Sequence, residues 1–555
     1  MKQKRTLRQR VTRLAAWLAA IALVAGIAAF VYLGSCITQP PPLPSDVSIT
    51  NLAVEARGDR VYLGKNWFGQ REGLRVLYLT GTPFERGFAN GKLTEKLVHR
   101  QEQVVVDLMN TMIPHWWQQM AVKASVVFQT RYLPRYVAPE IRMEILGMTY
   151  GCPDVRPQDG PYYHRVLSYH AAQDISYMLM NHPLLRGCTG FAAWGDATVG
   201  GHLLCGRNFD WEAAPVFDED RVLILSEPDK GIPFVSLAWP GMAGAVSGMN
   251  REGVSISVNG APSDLPAYAR TPTCLVAREV LQYARTLEEA TAIIRRSEVF
   301  VSALFLVGSR RDDRFIIVEK TPTQTAIQPA PATHFMVQAN HYLTAALKDV
   351  PINLKYLQVD TSLSRAARME ELLRAAAGQL DAAQAVAILR DRRLPGGVFA
   401  GNGQRGSLNP LIATHSVVMD LSAGIFWAAS PPHQLGKFVA FDVNEFSREL
   451  PDQTIKPDPL LISGEYERYR QSQQELAVGW TALKRKDSAT AIRSARKAEE
   501  LNPGYYKHAW LLGEALLAQG DKAAAVQALR DAQARQPALG GERKKIEELL
   551  RAATR

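Results

Sequence analysis

Apolar positions along the chain fall into distinct regimes. The first is a single uninterrupted run: Leu14 to Gly34 carries no charge over 21 residues, and as one helix it would span about 32 Å, close to the thickness of a bilayer core. From residue 60 to 186 apolar side chains recur at helical spacing, which predicts a mainly helical segment with helices over Arg86–Arg100, Gln101–Met112 and Tyr162–Met180. Between Cys188 and about Asp442 the pattern changes to short β-rich runs. Strands are predicted over Phe191–Trp194, His202–Arg207, Val246–Met249, Val254–Val258, Leu304–Val307, Phe315–Val318, Val417–Leu421 and Ile425–Ala428. Helical stretches at Val276–Ala284, Leu287–Arg295, Arg365–Ala376 and Ala382–Leu389 interpose, so the class predicted is α+β in packed layers. Towards the C-terminus Gly479 recurs as Gly513, Asp487 as Asp521, Ala491 as Ala525, Ala498 as Ala532 and Pro503 as Pro537, each 34 residues on. That offset predicts stacked helix pairs whose glycines permit close approach.

Length and composition fit a folded body. With 555 residues, 47% hydrophobic and 21% charged, the chain is neither disordered, collagenous nor a polytopic membrane protein. Its net charge of +10 sits at the ends: six basic and no acidic residues in the first 13, and 17 basic against 12 acidic in 465–555. The remainder is nearly neutral, which argues against a nucleic-acid partner. The basic start followed by the apolar run predicts a membrane anchor over residues 1–36 with the bulk outside the cytoplasm. Leu33-Gly34-Ser35-Cys36 resembles a lipobox, making Cys36 a lipidation candidate, so a lipoprotein signal and an uncleaved signal anchor both stay open. Pro40, Pro41, Pro42 and Pro44 predict a stiff tether over 37–59. The expected units are then 60–187, a β-rich body over 188–450, and repeats over 465–555, whose period is that of tetratricopeptide repeats, with Glu542–Ala553 as a capping helix. The five cysteines lack the spacing of a disulfide framework, and no metal-ligand or cofactor-binding motif occurs, so neither metal nor cofactor is expected.

Candidate chemistry centres on one hairpin. Two apolar runs flank a Gly/Asp-rich turn at Gly195–Gly201, and centring it on Thr198 places Cys188 opposite Asn208, with Arg207 and Asp210 within side-chain reach. A thiol beside a cation and a carboxylate suits an activated nucleophile. The same residues also suit a small buried cysteine beside a structural ion pair.

Gly187-Cys188-Thr189 with Gly206-Arg207-Asn208-Phe209-Asp210-Trp211 resembles the amino-terminal nucleophile hydrolases related to acyl-coenzyme A:6-aminopenicillanate acyltransferase. Gly81-Thr82-Pro83-Phe84-Glu85-Arg86-Gly87 and Asn340-His341 resemble two further elements of that family, and the resemblance covers about 75–442. It implies a four-layer αββα sandwich and self-cleavage between Gly187 and Cys188. The freed α-amino group of Cys188 would then act as base for its own thiol. It further implies that Asp210 orients that amino group beside Arg207, and that Asn259 and Asn340 hold the oxyanion. Ser416 is a weaker match near the nucleophile, His341 reads as a packing residue and Cys205 as core. The implied reaction is hydrolysis or transfer of the acyl group of a small linear N-acyl amide. Two other readings stand beside it: an inactive body whose repeats scaffold a protein partner, and a papain-like protease. The repeats, as a self-contained stack, are expected to be dispensable for the chemistry.

Overall fold

The computed structural model describes residues 7–179, 187–212, 214–264 and 268–554. Two sheets organise the body. In the larger, eleven strands run in the order Glu55–Arg57, Arg60–Leu63, Asn66–Arg71, Leu74–Gly81, Val222–Pro228, Phe234–Ala238, Ser247–Asn250, Val254–Gly260, Ala303–Ser309, Arg314–Lys320 and Thr325–Gln328. The smaller runs Phe335–Gln338, Thr189–Gly195, Gly201–Asp210, Ala413–Asp420, Ile425–Ala429 and Phe438–Asp442. Neighbouring strands are antiparallel except Leu74–Gly81 and Val222–Pro228, which pair in parallel from Arg75↔Val222 to Gly81↔Pro228.

One buried cluster is fed by both sheets, with Leu223, Leu225, Leu304 and Ile317 from the larger and Trp194, Cys205, Val417 and Phe441 from the smaller. Alternate residues of the same strands face outward. On the larger sheet Val254, Ile256 and Phe305 pack against Val276, Val280 and Ile294 of the helices Thr273–Tyr283 and Leu287–Arg296. On the smaller sheet Phe191, Leu204 and Val418 pack against Met369, Leu373 and Leu389 of the helices Ser362–Ala375 and Ala382–Leu389. Period-two alternation with apolar residues on both faces is what a sheet covered on both sides requires.

Several expectations are corrected. Residues 60–81 form three strands rather than helix, because they alternate aromatic and β-branched residues around tight turns at Gly64 and Gly73, both at positive φ (+60° and +81°). The helix predicted over Arg86–Arg100 is two, Pro83–Leu93 and Glu95–Met112, parted at Thr94. That over Tyr162–Met180 is Tyr162–Tyr169 and Ala172–Leu179; Met180 lies outside the described residues. The segment 37–59 is not a free spacer: Thr38 donates its N–H to His164 Nδ1 at 3.1 Å and Ile49 enters the core beside Leu63. Burial of these groups outweighs the stiffness of the prolines between them. Leu7–Ser35 is a helix of 29 residues whose Trp17, Leu18, Ile21, Leu23, Val24 and Ile27 are exposed. Among the described residues no helix is long and apolar enough to cross a membrane, so the spanning helix expected over 14–34 finds no support. Cys36, the lipidation candidate, is buried, its N–H bonded back to Tyr32 and Leu33.

The C-terminal region is five helices, Glu465–Lys484, Ser488–Leu501, Tyr506–Gln519, Lys522–Ala534 and Gly540–Thr554. Residues 34 apart do the same jobs. Asp487 and Asp521 are N-caps, each accepting at 3.0 Å from the N–H three residues on. Gly479 lies against Leu511 and Gly513 against Leu529, where a Cβ would approach to 2.5 and 2.6 Å.

Candidate active site

Thr189–Gly195 and Gly201–Asp210 pair as the expected hairpin, with one correction of register. Thr189, not Cys188, stands opposite Asn208, because the register shifts between Ala193 and Gly195 near the turn. Cys188 is therefore the residue just before the strand. It is 1% exposed, and its Sγ lies 4.0 Å from the backbone oxygen of Asp210. Burial raises the pKa of its thiol, and Arg207 opposes that shift.

Asp210 ends the second strand. A Cβ built on Gly187 would lie 2.9 Å from Asp210 Oδ2, so only glycine fits before the cysteine without displacing the carboxylate. Asp210 is 2% exposed, and neither of its carboxylate oxygens has a hydrogen-bond partner among the described residues. Burial pushes its pKa up to about 7, against the pull of Arg365, Arg405 and Arg207.

Arg207 is fully buried and turns across to the larger sheet. It donates through Nε to Asn259 Oδ1 at 3.0 Å, through Nη1 to Val246 O at 2.8 Å and Ser247 Oγ at 2.7 Å, and through Nη2 to Val258 O. The two asparagines expected to donate to an oxyanion have donors engaged elsewhere. Asn259 Nδ2 donates to Gln338 O and Ala339 O at 3.2 and 3.0 Å, and Asn340 Nδ2 to Gly260 O at 2.9 Å. Ser416 Oγ donates to Asn208 Oδ1 at 2.7 Å. His341 sits against Ser362 Oγ at 2.8 Å, and burial and Arg365 lower its pKa to about 4, which keeps the ring neutral.

The group that meets the Gly187–Cys188 bond is Arg365, which sequence reasoning missed. Fully buried on the helix Ser362–Ala375, it donates through Nη1 to Gly187 O at 2.8 Å, Cys188 O at 2.6 Å and Thr189 Oγ1 at 2.6 Å. Through Nη2 it bonds Asn340 Oδ1 at 2.8 Å, with Asp360 Oδ1 at 3.5 Å. A signal existed. Arg365 shares the buried stripe of its helix with Met369 and Leu373, four and eight residues on, and a charge on an apolar stripe needs a buried partner.

Chemically, the arrangement places a thiol, an unpartnered carboxylate with a near-neutral pKa and a guanidinium on a peptide carbonyl around one glycine–cysteine bond. Among the described residues no group of three or more His, Cys, Asp or Glu side chains forms a metal-ligand cluster.

Residues 198–399 match the family model for acyl-coenzyme A:6-aminopenicillanic acid acyltransferase. The match contains Arg207, Asp210, Asn259, Asn340 and Arg365 and begins after Cys188. It relates the chain to the amino-terminal nucleophile hydrolases and acyltransferases. An uncharacterized protein of Archaeoglobus fulgidus is 29% identical over 257 residues, covering 42% of this chain and 41% of its own length. Protein dcd1B of Dictyostelium discoideum is 25% identical over 267 residues, covering 44% of this chain and 50% of its own. The chain thus spans half or less of these curated relatives. Among solved structures, a Caenorhabditis elegans ortholog of N-acylethanolamine-hydrolyzing acid amidase aligns with a TM-score of 0.34 at 17% identity, over 42% of this chain and 93% of that one. A mutant of conjugated bile acid hydrolase from Clostridium perfringens aligns at 0.32 and 13%, over 47% and 95%.

Proposed function

We propose that this chain is a self-processing cysteine amidohydrolase or acyltransferase, with Cys188 as nucleophile and the Gly187–Cys188 bond as its first substrate. The observation that carries the reading is the grip of Arg365 on the carbonyl oxygens of Gly187 and Cys188, at 2.8 and 2.6 Å. A cation already bonded to a peptide oxygen stabilises the negative charge that develops there when the carbonyl carbon is attacked. In the self-cleavage, Cys188 Sγ adds to the Gly187 carbonyl carbon and its proton passes to Asp210, whose pKa of about 7 suits a base at neutral pH. The C–N bond breaks as that proton moves to the departing nitrogen, leaving a thioester. That step frees the Cys188 α-amine, and water then hydrolyses the thioester to the Gly187 carboxylate and the Cys188 thiol.

The cut gives Asp210 a hydrogen-bond donor for a carboxylate that has none among the described residues. The new amino group then serves as base for its own thiol, and Asp210 orients it. Asn259 and Asn340 act as positioning residues through Arg207 and Arg365. With Cys188 buried in the uncut chain, an external amide has no path to the thiol, so turnover follows processing. The second substrate class is a small linear N-acyl amide, its acyl group passing through an acyl-enzyme to water or an amine. We read the two facing sheets and their outer helices as the four-layer sandwich of this family, and the C-terminal helices as tetratricopeptide-like.

The test is denaturing electrophoresis with amino-terminal sequencing. Wild-type protein should yield a heavy fragment of 368 residues beginning Cys-Thr-Gly-Phe, and Cys188→Ala should remain one uncut chain without amidase activity. Wild-type protein active on amides yet intact at Gly187 overturns the reading.

A further inference from the structure

The C-terminal helices do not stand apart from the body. They close on the loop before the strand Ala413–Asp420, and that loop is buried without interruption from Ala400 to Leu411, whereas connecting segments ordinarily run over the surface. On one side the tail holds it. Asn402 N–H donates to Asn502 Oδ1 at 3.0 Å while Asn502 Nδ2 donates to Asn402 O at 2.9 Å. Gln404 Nε2 donates to Gln536 O at 3.0 Å. Gly401 and Gly403 take φ of +80° and +89°, and a Cβ on them would come within 2.6 Å of Tyr505 N and 2.9 Å of the Tyr469 ring. Both the left-handed backbone and the close approach demand glycine there.

On its other side the loop touches the residues around the scissile bond. Gly406 O accepts from Ser364 Oγ at 2.9 Å, one residue before Arg365, and Leu408 O accepts from Asn208 Nδ2 at 2.9 Å, two before Asp210. Arg405, the residue before Gly406 and 8% exposed, donates to Glu212 Oε2 at 2.7 Å. The charged groups facing Asp210 are Arg365 from its helix, Arg405 from this loop, Arg207 from its own strand and Glu212 just beyond that strand, with the Cys188 thiol as a further titratable neighbour. Of these, the loop gripped by the tail carries Arg405.

We propose that the C-terminal helices clamp the active site: by holding the loop through Asn502, Tyr505 and Gln536 they keep Arg405 facing Glu212 and Asp210, and Asn502 and Arg405 are positioning residues for the chemistry at Cys188. The proposal rests on the assignment of Cys188 and Asp210 under Proposed function, and it reverses the expectation that the tail is dispensable. Withdrawing a guanidinium from beside a buried carboxylate makes the ionised form harder to reach, so the basic form of Asp210 is lost at a higher pH.

The experiment follows the rate of cutting at Gly187 against pH in full-length Asn502→Ala, Arg405→Ala and Arg405→Lys chains, with helix content and melting recorded for each. Arg405→Ala should move the acid limb of the profile up by roughly half a unit or more, and Arg405→Lys should restore it. Asn502→Ala, which touches nothing at the scissile bond, should reproduce the Arg405→Ala shift. Asn502→Asp, which keeps the acceptor for Asn402 N–H but sets an oxygen against Asn402 O, should give a shift at least as large and serves if the alanine variant does not fold. A folded Asn502 variant with the wild-type profile overturns the clamp while leaving the role of Cys188 intact. An uncut wild-type chain overturns that role, and the clamp with it.

Discussion

Arg365 carries the strongest prediction at the scale of single residues. Its guanidinium donates through Nη1 to two carbonyls and a hydroxyl and through Nη2 to Asn340 Oδ1, a planar two-nitrogen fork that a single ammonium nitrogen cannot span. Arg365→Lys keeps the charge and loses the geometry, so self-cleavage in a pulse-chase should slow on the order of 10²-fold. A folded Arg365→Lys chain that cuts at the wild-type rate would remove Arg365 from the chemistry. The site was partly legible before the structure. Cys188, Arg207 and Asp210 stand in one short hairpin, and their proximity followed from the turn between them. Arg365 lies 177 residues beyond Cys188, where only tertiary packing brings it back. What the sequence could not give for Asn259 and Asn340 was their partners: in this structure Asn259 Nδ2 donates to Gln338 O and Ala339 O and Asn340 Nδ2 to Gly260 O, because a residue type says what a side chain can donate, not which carbonyl will claim it.

At the scale of elements, the motif at Gly81–Gly87 that carries part of the family resemblance has architectural work. In Gly81–Gly87, Thr82 and Glu85 form a reciprocal capping box at the start of the helix Pro83–Leu93, with Pro83 in the first turn. Arg86 reaches Glu144 at 3.0 Å, and Glu144 also receives Arg278 at 3.3 Å, a buried ion pair set between helices. Gly87 and Gly91 of this helix face Gly147 and Gly151 of Pro139–Gly151, and a Cβ on Gly147 would fall 2.2 Å from Phe84 O. Gly147→Ala must therefore part the two backbones, and the uncut Cys188→Ala chain should lose about 3 kcal/mol in urea unfolding when it is introduced. A loss below about 0.5 kcal/mol would mean the helices separate freely. Strands of the body were legible wherever alternation was strong, as at Val254–Gly260. The strands over 60–81 were missed although Gly64 and Gly73 punctuate them, because a helical stretch follows directly and its period coloured the whole segment.

The whole molecule is built across the proposed cut. Residues before Gly187 supply four strands of the larger sheet, and their junction with the rest is the parallel pair Leu74–Gly81 with Val222–Pro228. Helices of the same segment add Phe84, Phe88, Ile145 and Leu167 to a core shared with Phe209 and Trp239. The two fragments should therefore co-elute at native pH after processing and separate only under denaturant. That pairing also makes first folding different from any later one. In the uncut chain the two strands are tethered, so each meets its partner at the high effective concentration of a linked segment. Once the bond is gone, reunion is a bimolecular encounter that must meet the full entropic cost of association. After denaturation, the uncut Cys188→Ala chain should regain its fold with a yield independent of protein concentration, whereas the processed wild type should recover less the more dilute it is, measured by circular dichroism after removing urea. The proposed processing would thus erase part of the instruction by which the molecule was assembled: the mature form would keep a shape it no longer had the connectivity to rediscover, and its persistence would become a matter of how slowly it comes apart.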